Sequence, residues 1–340
     1  MAKRLGKYTL EMSQMPSIQG FASVCGKKES EGPLAKYFDK TFDDTTLGES
    51  SWEKAESKLQ SEAVSIALQK SKLTASDIDF IFAGDLLNQC ISSTFGLREL
   101  QIPFLGQYGA CSTMAQTLIL SSIMVEAGMA KHCLAVTSSH FCSAERQFRF
   151  PLEYGGQRTP TAQWTVTGSG AIVVGNSGNS PYISAVTVGR IKDLGIKDAN
   201  NMGAAMAPAA AQTISDFFSD TNTSPKDYDL ILTGDLGEVG SKLLYELLEK
   251  DGIDIRSNHN DCGLMIYHKN KQDVHAGGSG CGCSASVLCS FILSKMKNAE
   301  LNNVLFVATG ALMSPTSSQQ GESIPSVAHL VSLKSNLSQD

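Results

Sequence analysis

A single cysteine, Cys111, separates a small-residue turn from a long apolar run in the stretch GACSTMAQTLIL, residues 109 to 120. The apolar run predicts a buried helix that begins at Cys111 or Ser112. Unpaired N–H groups and the helix dipole favour the thiolate of a cysteine at such a position, and a thiolate is a nucleophile. The same cysteine could instead line a pocket or pack in the core, so three interpretations stay open.

Two aspartates, Asp85 and Asp235, follow apolar runs at equivalent points of the chain, in the sequences AGD and TGD. Carboxylates at the C-terminal ends of parallel strands can line the cleft in which open α/β sheets bind ligands. The alternative is that each aspartate caps the helix that follows its strand.

Further polar groups follow the apolar run CLAVTSS, which ends at Ser139. His140, Arg146 and Arg149 come next, and their donor groups could meet a ligand carboxylate or pair with acids at the surface. The glycine-rich stretch 277–283, GGSGCGC, has the small residues of a backbone anion nest. It lacks the GxGxxG and GxxxxGK spacings of nucleotide sites, so no nucleotide is predicted.

Neither a metal nor a cofactor is predicted. His259 and Asp261 are close in sequence, but two isolated ligands do not make a metal site. The nine cysteines include no CxxC pair, and several lie in apolar runs. This pattern is typical of reduced thiols in a cytosol-like compartment.

Composition limits the classes of partner. The 340 residues are 42% hydrophobic and 18% charged, which predicts a soluble globular protein with a substantial core. The net charge of −6 and the absence of a Lys/Arg cluster argue against nucleic acid as a partner. We predict no signal peptide and no transmembrane span, because no apolar stretch approaches the roughly 18 residues that a span needs. Membrane contact is therefore expected to be peripheral.

The chain contains an internal repeat. Residues 76–87, SDIDFIFAGDLL, match residues 225–237, PKDYDLILTGDLG, and a second pair of matches aligns Cys111 with Cys283. The two pairs have offsets of 150 and 172 residues, so an insertion is expected in the second copy. The residues matched in the first pair are Asp77, Asp79, Gly84 and Asp85 against Asp227, Asp229, Gly234 and Asp235.

Each copy alternates strands with helices, which predicts an α/β fold with parallel strands covered on both faces. Ser50 or Ser51 is expected to cap a helix that starts at Trp52. Strands are predicted at 78–84, up to Tyr108, at 133–139, 164–174 and 182–189, and a helix near 89–100. We predict two halves, 1–180 and 181–340, packed as one compact unit.

Duplicated units with a cysteine at the start of a central helix resemble the thiolase and ketoacyl synthase fold. Longer stretches, such as EGPLAKYFDKTFDD, IPFLGQYGACST, TSSHFCSAERQF and GGSGCGCSA, resemble the stage V sporulation protein AD family. The resemblance implies a duplicated thiolase-like fold, with two pseudo-symmetric halves in five layers, α-β-α-β-α. It also implies a part in the machinery that moves dipicolinic acid into forming spores and releases it at germination.

Enzymes of this fold use a histidine to transfer a proton, and a second histidine or an asparagine completes the oxyanion site. The internal alignment places Gly234 and Asp235 at the first position, and Cys281 or Gly282 at the second. The resemblance therefore implies that Cys111 occupies the nucleophile position without being catalytic. The alternatives are an acyl-transferring, thiolase-like enzyme that uses Cys111, and a scaffold with a vestigial pocket.

The ligand implied by the resemblance is dipicolinic acid, pyridine-2,6-dicarboxylate, either free or as its calcium chelate. We expect it between the halves, where two helix N-termini would aim N–H groups at its oxygens. Implied partners are the integral channel subunits at the cytoplasmic face of the spore inner membrane, and a homodimer is expected by analogy. The predicted ligand-binding residues are Asp85, Cys111, Ser112, Ser139, His140, Arg146, Asp235, Gly282, Cys283 and Ser284.

Overall fold

The computed structural model describes residues 2–148, 158–179 and 181–336. The strands are β1 (Lys3–Leu5), β2 (Thr9–Glu11), β3 (Ser17–Cys25), β4 (Lys40–Thr41), β5 (Phe80–Gly84), β6 (Phe104–Gly106), β7 (His132–Ser139), β8 (Trp164–Thr165), β9 (Gly168–Gly175), β10 (Tyr182–Thr187), β11 (Leu230–Thr233), β12 (His259–Asp261), β13 (Gly278–Ser279), β14 (Asn303–Ala311) and β15 (Ser326–Lys334).

The α-helices are α1 (Lys27–Ser30), α2 (Trp52–Ser71), α3 (Ile91–Leu97), α4 (Thr113–Glu126), α5 (Phe141–Phe148), α6 (Met202–Thr221), α7 (Gly237–Glu249), α8 (Cys262–Met265), α9 (Cys281–Val287), α10 (Leu293–Lys297) and α11 (Pro315–Gln319). A π-helical segment, Leu288–Ile292, joins α9 to α10. Short 3₁₀ turns span Ala35–Tyr37, Ala75–Asp77, Asn88–Cys90, Arg98–Leu100 and Pro225–Asp227. Within the described residues, no helix is both long and apolar enough to cross a membrane.

The repeat is visible in the order of the strands. In the first half the order is β3-β9-β7-β5-β6, and in the second half it is β10-β15-β14-β11-β12. The first three strands of each series pair antiparallel and the last three pair parallel. The two first strands meet at Ser17 and Tyr182, which joins the halves. These pairings confirm the predicted duplicated α/β fold.

The helices form three layers around these strands. Helices α2 and α3 cover the outer face of the first half, and α6 and α7 cover the outer face of the second. Helix α4 lies between the halves, because it packs against β5 and β7 on one side and against β14 and β15 on the other. Helix α9 joins it in this central layer. The predicted α-β-α-β-α layering is confirmed.

Matched aspartates make matched hydrogen bonds in the two halves. Asp79 accepts from two consecutive N–H groups at the start of β7, at 2.6 and 3.1 Å. Asp229 accepts from two at the start of β14, at 2.6 and 3.0 Å. Asp77 and Asp227 each close a capping box at the 3₁₀ turn before the strand. The aspartates of the sequence repeat therefore make the same backbone contacts in both halves.

Several predicted boundaries are confirmed and others are wrong. Ser51 caps α2, with its hydroxyl oxygen accepting from the N–H of Lys54 at 3.3 Å. Helix α4 begins at Thr113, later than predicted, because Ala110 takes a left-handed conformation with φ of 49° and the chain turns there. The predicted strand 164–174 is two strands, since β8 leaves the large sheet to pair with β13.

The insertion of the second half lies largely between β12 and α9, in residues 262–280. The corresponding connection in the first half, from β6 to α4, is only the turn of residues 107–112. The longer segment contains α8 and β13.

Gly84, the last residue of β5, allows the close approach of the segment that leads to Cys111. A Cβ atom on Gly84 would lie 2.0 Å from the backbone oxygen of Gln107. At Gly106, the nearest atom to an added Cβ is a Phe104 ring carbon at 3.4 Å.

We expect Gly84→Ala to lower the free energy of unfolding by about 2 kcal/mol or more, because the backbone of Gln107 must move. Gly106→Ala is the matched control and is expected to cost less than about 1 kcal/mol. Urea unfolding monitored by circular dichroism measures both. Equal losses in the two variants would contradict the close-approach argument.

Candidate functional site

Cys111 lies in the turn between β6 and α4, at the contact between the two halves. The hydroxyl of Ser112 donates to the carbonyl of Gly109 at 2.7 Å and closes this turn. The Cys111 side chain is 5% exposed and lines a cavity of about 40 Å³. A cavity of that size holds a few water molecules.

Residues of both halves line the cavity. Apolar side chains predominate, and Leu86, Ala144 and Phe148 come from the first half while Met202, Ala311 and Met313 come from the second. Tyr108, Glu145, Thr165 and Ser279 add polar groups. Among the described residues, Cys111 is the one predicted ligand-binding residue that lines this cavity.

Asp235 is buried directly beside Cys111 and hydrogen-bonds to its thiol. The carboxylate also accepts from the Gly280 N–H at 2.8 Å, the Ser279 hydroxyl at 3.0 Å and the Thr309 hydroxyl at 2.9 Å. Burial raises the pKa of Asp235 above its usual value, and these donors partly oppose the rise.

The thiol of Cys111 is held in its protonated form. Burial, and next the negative charge of Asp235, raise its pKa well above the usual value, while the N–H of Gly280 acts in the opposite direction. The direction of this shift is opposite to the one that a helix start alone would produce. Desolvation and the neighbouring carboxylate outweigh the helix dipole.

The two positions that the internal alignment assigns to proton transfer and to the oxyanion site hold neither histidine nor asparagine. Asp235 stands at the first, and at the second the Cys281 thiol donates to the Ser138 carbonyl at 2.9 Å. The N–H of Gly282 donates to the Ser139 hydroxyl at 3.1 Å, and that hydroxyl donates to the Val166 carbonyl. Within the described residues, no histidine lines the cavity.

His140 and Asp85 have structural partners. The Nε2 of His140 donates to the Thr45 carbonyl at 2.6 Å, and its Nδ1 accepts from the Cys142 N–H. Burial lowers the pKa of His140, so its ring is neutral. Asp85 accepts from the N–H of Leu87 and from the N–H and hydroxyl of Ser93. These bonds match the alternative in which Asp85 caps the segment after its strand.

Arg146 is on the surface. It forms an ion pair with Glu53 and lies over the ring of Trp52, at 5.4 Å from the ring centroid. Arg146 therefore forms the surface ion pair that was the alternative to binding a ligand carboxylate. Arg149 lies outside the described residues.

Cys283 and Ser284 face away from the cavity. Cys283 is buried in the central core, and the hydroxyl of Ser284 donates to the Cys281 carbonyl at 3.2 Å. The two helix starts do approach each other, since Cys111 and Cys281 belong to one buried cluster with Leu86 and Ala144.

A buried polar network behind the cavity was not predicted from the sequence. The carboxylate of Glu56 accepts from the hydroxyls of Ser138 and Ser143 at 2.9 and 2.7 Å, and the Gln60 amide donates to Ser138 and Ser93. Burial, with the nearby charge of Asp85, raises the pKa of Glu56 to about 8. The sequence carries a sign of it, because Glu56 and Gln60 lie four residues apart beside the apolar stripe of α2.

We expect the free energy of unfolding to fall as pH rises from about 5 to 8, because folded Glu56 keeps a proton that the unfolded chain has lost. A single such group contributes at most about 1.4 kcal/mol per pH unit. Glu56→Gln should flatten this slope, and Glu62→Gln, on the same helix beside Lys40, should not. Denaturant unfolding at several pH values measures it, and equal slopes for Glu56→Gln and the unmodified protein would contradict the role of Glu56.

Known proteins resemble this chain over nearly its whole length. The family model for stage V sporulation protein AD matches residues 6–334. Stage V sporulation protein AD of Bacillus subtilis (strain 168) is 50% identical over 327 residues, which is 96% of each chain.

Solved structures share the fold at low sequence identity. The 3-oxoacyl-[acyl-carrier-protein] synthase III of Aquifex aeolicus VF5 has a TM-score of 0.56 at 14% identity and covers 94% of this chain and 99% of its own. OleA of Xanthomonas campestris has a TM-score of 0.61 at 12% identity, with coverages of 98% and 99%. The predicted thiolase-like fold is confirmed, and the match over residues 6–334 shows that the chain belongs to the stage V sporulation protein AD family.

Proposed function

We propose that this sporulation protein binds dipicolinic acid without covalent chemistry, in the cavity beside Cys111. The observation that carries the proposal is a cavity between the two halves whose lining contains a protonated thiol and, among the described residues, no histidine. Its walls of Leu86, Phe148, Met202 and Met313 suit an aromatic ring, since small-molecule sites are mainly apolar with a few placed polar groups.

The ligand carboxylates need hydrogen-bond donors. The backbone N–H groups of Gly280 and Gly282 already donate to Asp235 and Ser139. The Thr165 hydroxyl likewise donates to Glu145 at 3.3 Å. Tyr108 also lines the cavity, and its hydroxyl is the better candidate donor. Glu145 and Asp235 oppose a free dianion, so a calcium chelate or a protonated acid suits the site better than the dianion.

Dipicolinic acid is larger than a few water molecules, so binding requires side chains of the cavity wall to move. Met202 and Met313 are suited to this, because methionine has three rotatable bonds and adapts to irregular spaces. Ligand entry therefore involves the second half of the chain as well as the turn that carries Cys111.

The family supports a place in the uptake of dipicolinic acid into spores and in its release at germination. In this proposal the protein is a peripheral subunit at the cytoplasmic face of the inner membrane, held there by integral channel subunits. A homodimer is proposed through β6, which ends the sheet and exposes Phe104 and Leu105. Unpaired apolar edge strands are templates for pairing with a second chain.

We expect calorimetric titration to show saturable binding of dipicolinic acid, measured with and without calcium. Cys111→Phe should abolish binding because the larger ring fills the cavity, and Ala144→Leu should weaken it for the same reason. Cys111→Ser should retain most of the affinity, since the sulfur has no chemical role. Arg146→Ala is the control and should bind normally.

Circular dichroism and thermal unfolding check that the filled variants are folded. Unchanged affinity in a folded Cys111→Phe protein would place the ligand elsewhere. Failure of the unmodified protein to bind any dicarboxylate would favour the scaffold alternative.

The competing function is acyl transfer through Cys111, and the raised pKa of this thiol argues against it. We expect no steady release of coenzyme A from acyl-coenzyme A substrates, and no acyl adduct on Cys111 by mass spectrometry. Release of coenzyme A that disappears in Cys111→Ala would establish the enzyme instead.

A further inference from the structure

Trp164 carries two positively charged side chains on one face of its ring. Its other face stacks on Phe141, with ring centroids 3.9 Å apart and planes 9° apart. The Nζ atom of Lys28 lies 3.9 Å from the Trp164 centroid, and the Cζ atom of Arg158 lies 4.6 Å from it. Because Phe141 occupies one face, the two cations share the other.

This cluster is separate from the cavity beside Cys111. Thr165, the next residue of β8, lines that cavity, and successive side chains of a strand point to opposite sides. Lys28 and Arg158 therefore lie on the far side of β8, in a region where the sequence analysis predicted no site.

The two cations are only partly neutralised. The Nη2 of Arg158 donates to the backbone carbonyl of Asp273 and forms an ion pair with its carboxylate at 3.3 Å. That carboxylate is 79% exposed and also contacts His275 at 3.0 Å. The Nη1 atom of Arg158 is buried and has no hydrogen-bond partner within residues 2–148, 158–179 and 181–336. Burial, and next the charge of Arg158, lower the pKa of Lys28, with Asp273, Glu29 and Glu31 acting in the opposite direction.

Stacking on Trp164 does not by itself account for this arrangement. One cation is enough to use the face of an aromatic ring, and a second one adds repulsion between like charges. The buried Nη1 donor is a further cost, since buried donors normally have an acceptor. An oxyanion bound between the two side chains would remove the repulsion, and a turn of the guanidinium would bring the buried Nη1 into contact with it.

We propose that Lys28 and Arg158 form a second binding site, which takes the phosphate or carboxylate group of an anionic ligand over the face of Trp164. The planar guanidinium offers paired donors, and the ammonium adds a point charge beside it. The site is independent of the dipicolinic acid proposal.

The fluorescence of Trp164 can be measured on its own once Trp52 is replaced, because Trp52 is the only other tryptophan of the chain. In the Trp52→Phe protein, titration with inorganic phosphate should give a saturable change in Trp164 emission that chloride at matched ionic strength does not give. Lys28→Met and Arg158→Met in that background should each weaken the apparent affinity at least tenfold. Lys36→Met, which removes a lysine that lies over Tyr37, is the matched control and should have no effect.

A parallel titration with acetate separates the ligand chemistries. A response to phosphate alone assigns the site to phosphate groups, and a response to acetate alone assigns it to carboxylates. The response should survive Cys111→Phe, so that failure of the cavity proposal does not affect this one. Absence of a saturable response to both anions, or a response that persists in both Lys28→Met and Arg158→Met, would overturn the proposal.

Discussion

One buried carboxylate links the two halves beside Cys111. Asp235 follows β11 of the second half and accepts from Ser279, Gly280 and Thr309, as well as from the thiol of Cys111 in the first half. A buried carboxylate without such donors would be strongly destabilising. Its donors thus fix the start of α9, the end of β14 and the turn before α4 relative to one another.

The duplicated halves use their matched aspartates differently. Asp85 caps the segment after its own strand by accepting from the N–H of Leu87. In the second half this task falls to Asp261 of β12, which accepts from the N–H groups of Leu236 and Gly237. Asp235 therefore does not cap α7, and it contacts the thiol of Cys111 in the first half. Equal sequence motifs in the two halves therefore serve different contacts.

The strand series and its duplication could be predicted because they depend on local patterns, such as the apolar runs that end in AGD and TGD. The site could not be predicted, because its contacts join residues that are far apart in sequence. Examples are the hydrogen bond between Glu56 and Ser138 and the proximity of Lys28 to Arg158. The start of α4 was misplaced because the left-handed conformation of Ala110 leaves no trace in residue type. The position of Arg146 after β7 makes it a candidate for binding a ligand carboxylate. The sequence does not show that its side chain instead points towards Glu53.

A cysteine at position 111 makes physical sense without catalysis. A thiol is small, largely apolar and a weak donor, so it can line an apolar cavity and still satisfy a buried acceptor. Cys111 does this for Asp235, and Cys281 does it for the Ser138 carbonyl. Burial and neighbouring acids keep both thiols protonated, so each can act as a hydrogen-bond donor in the core.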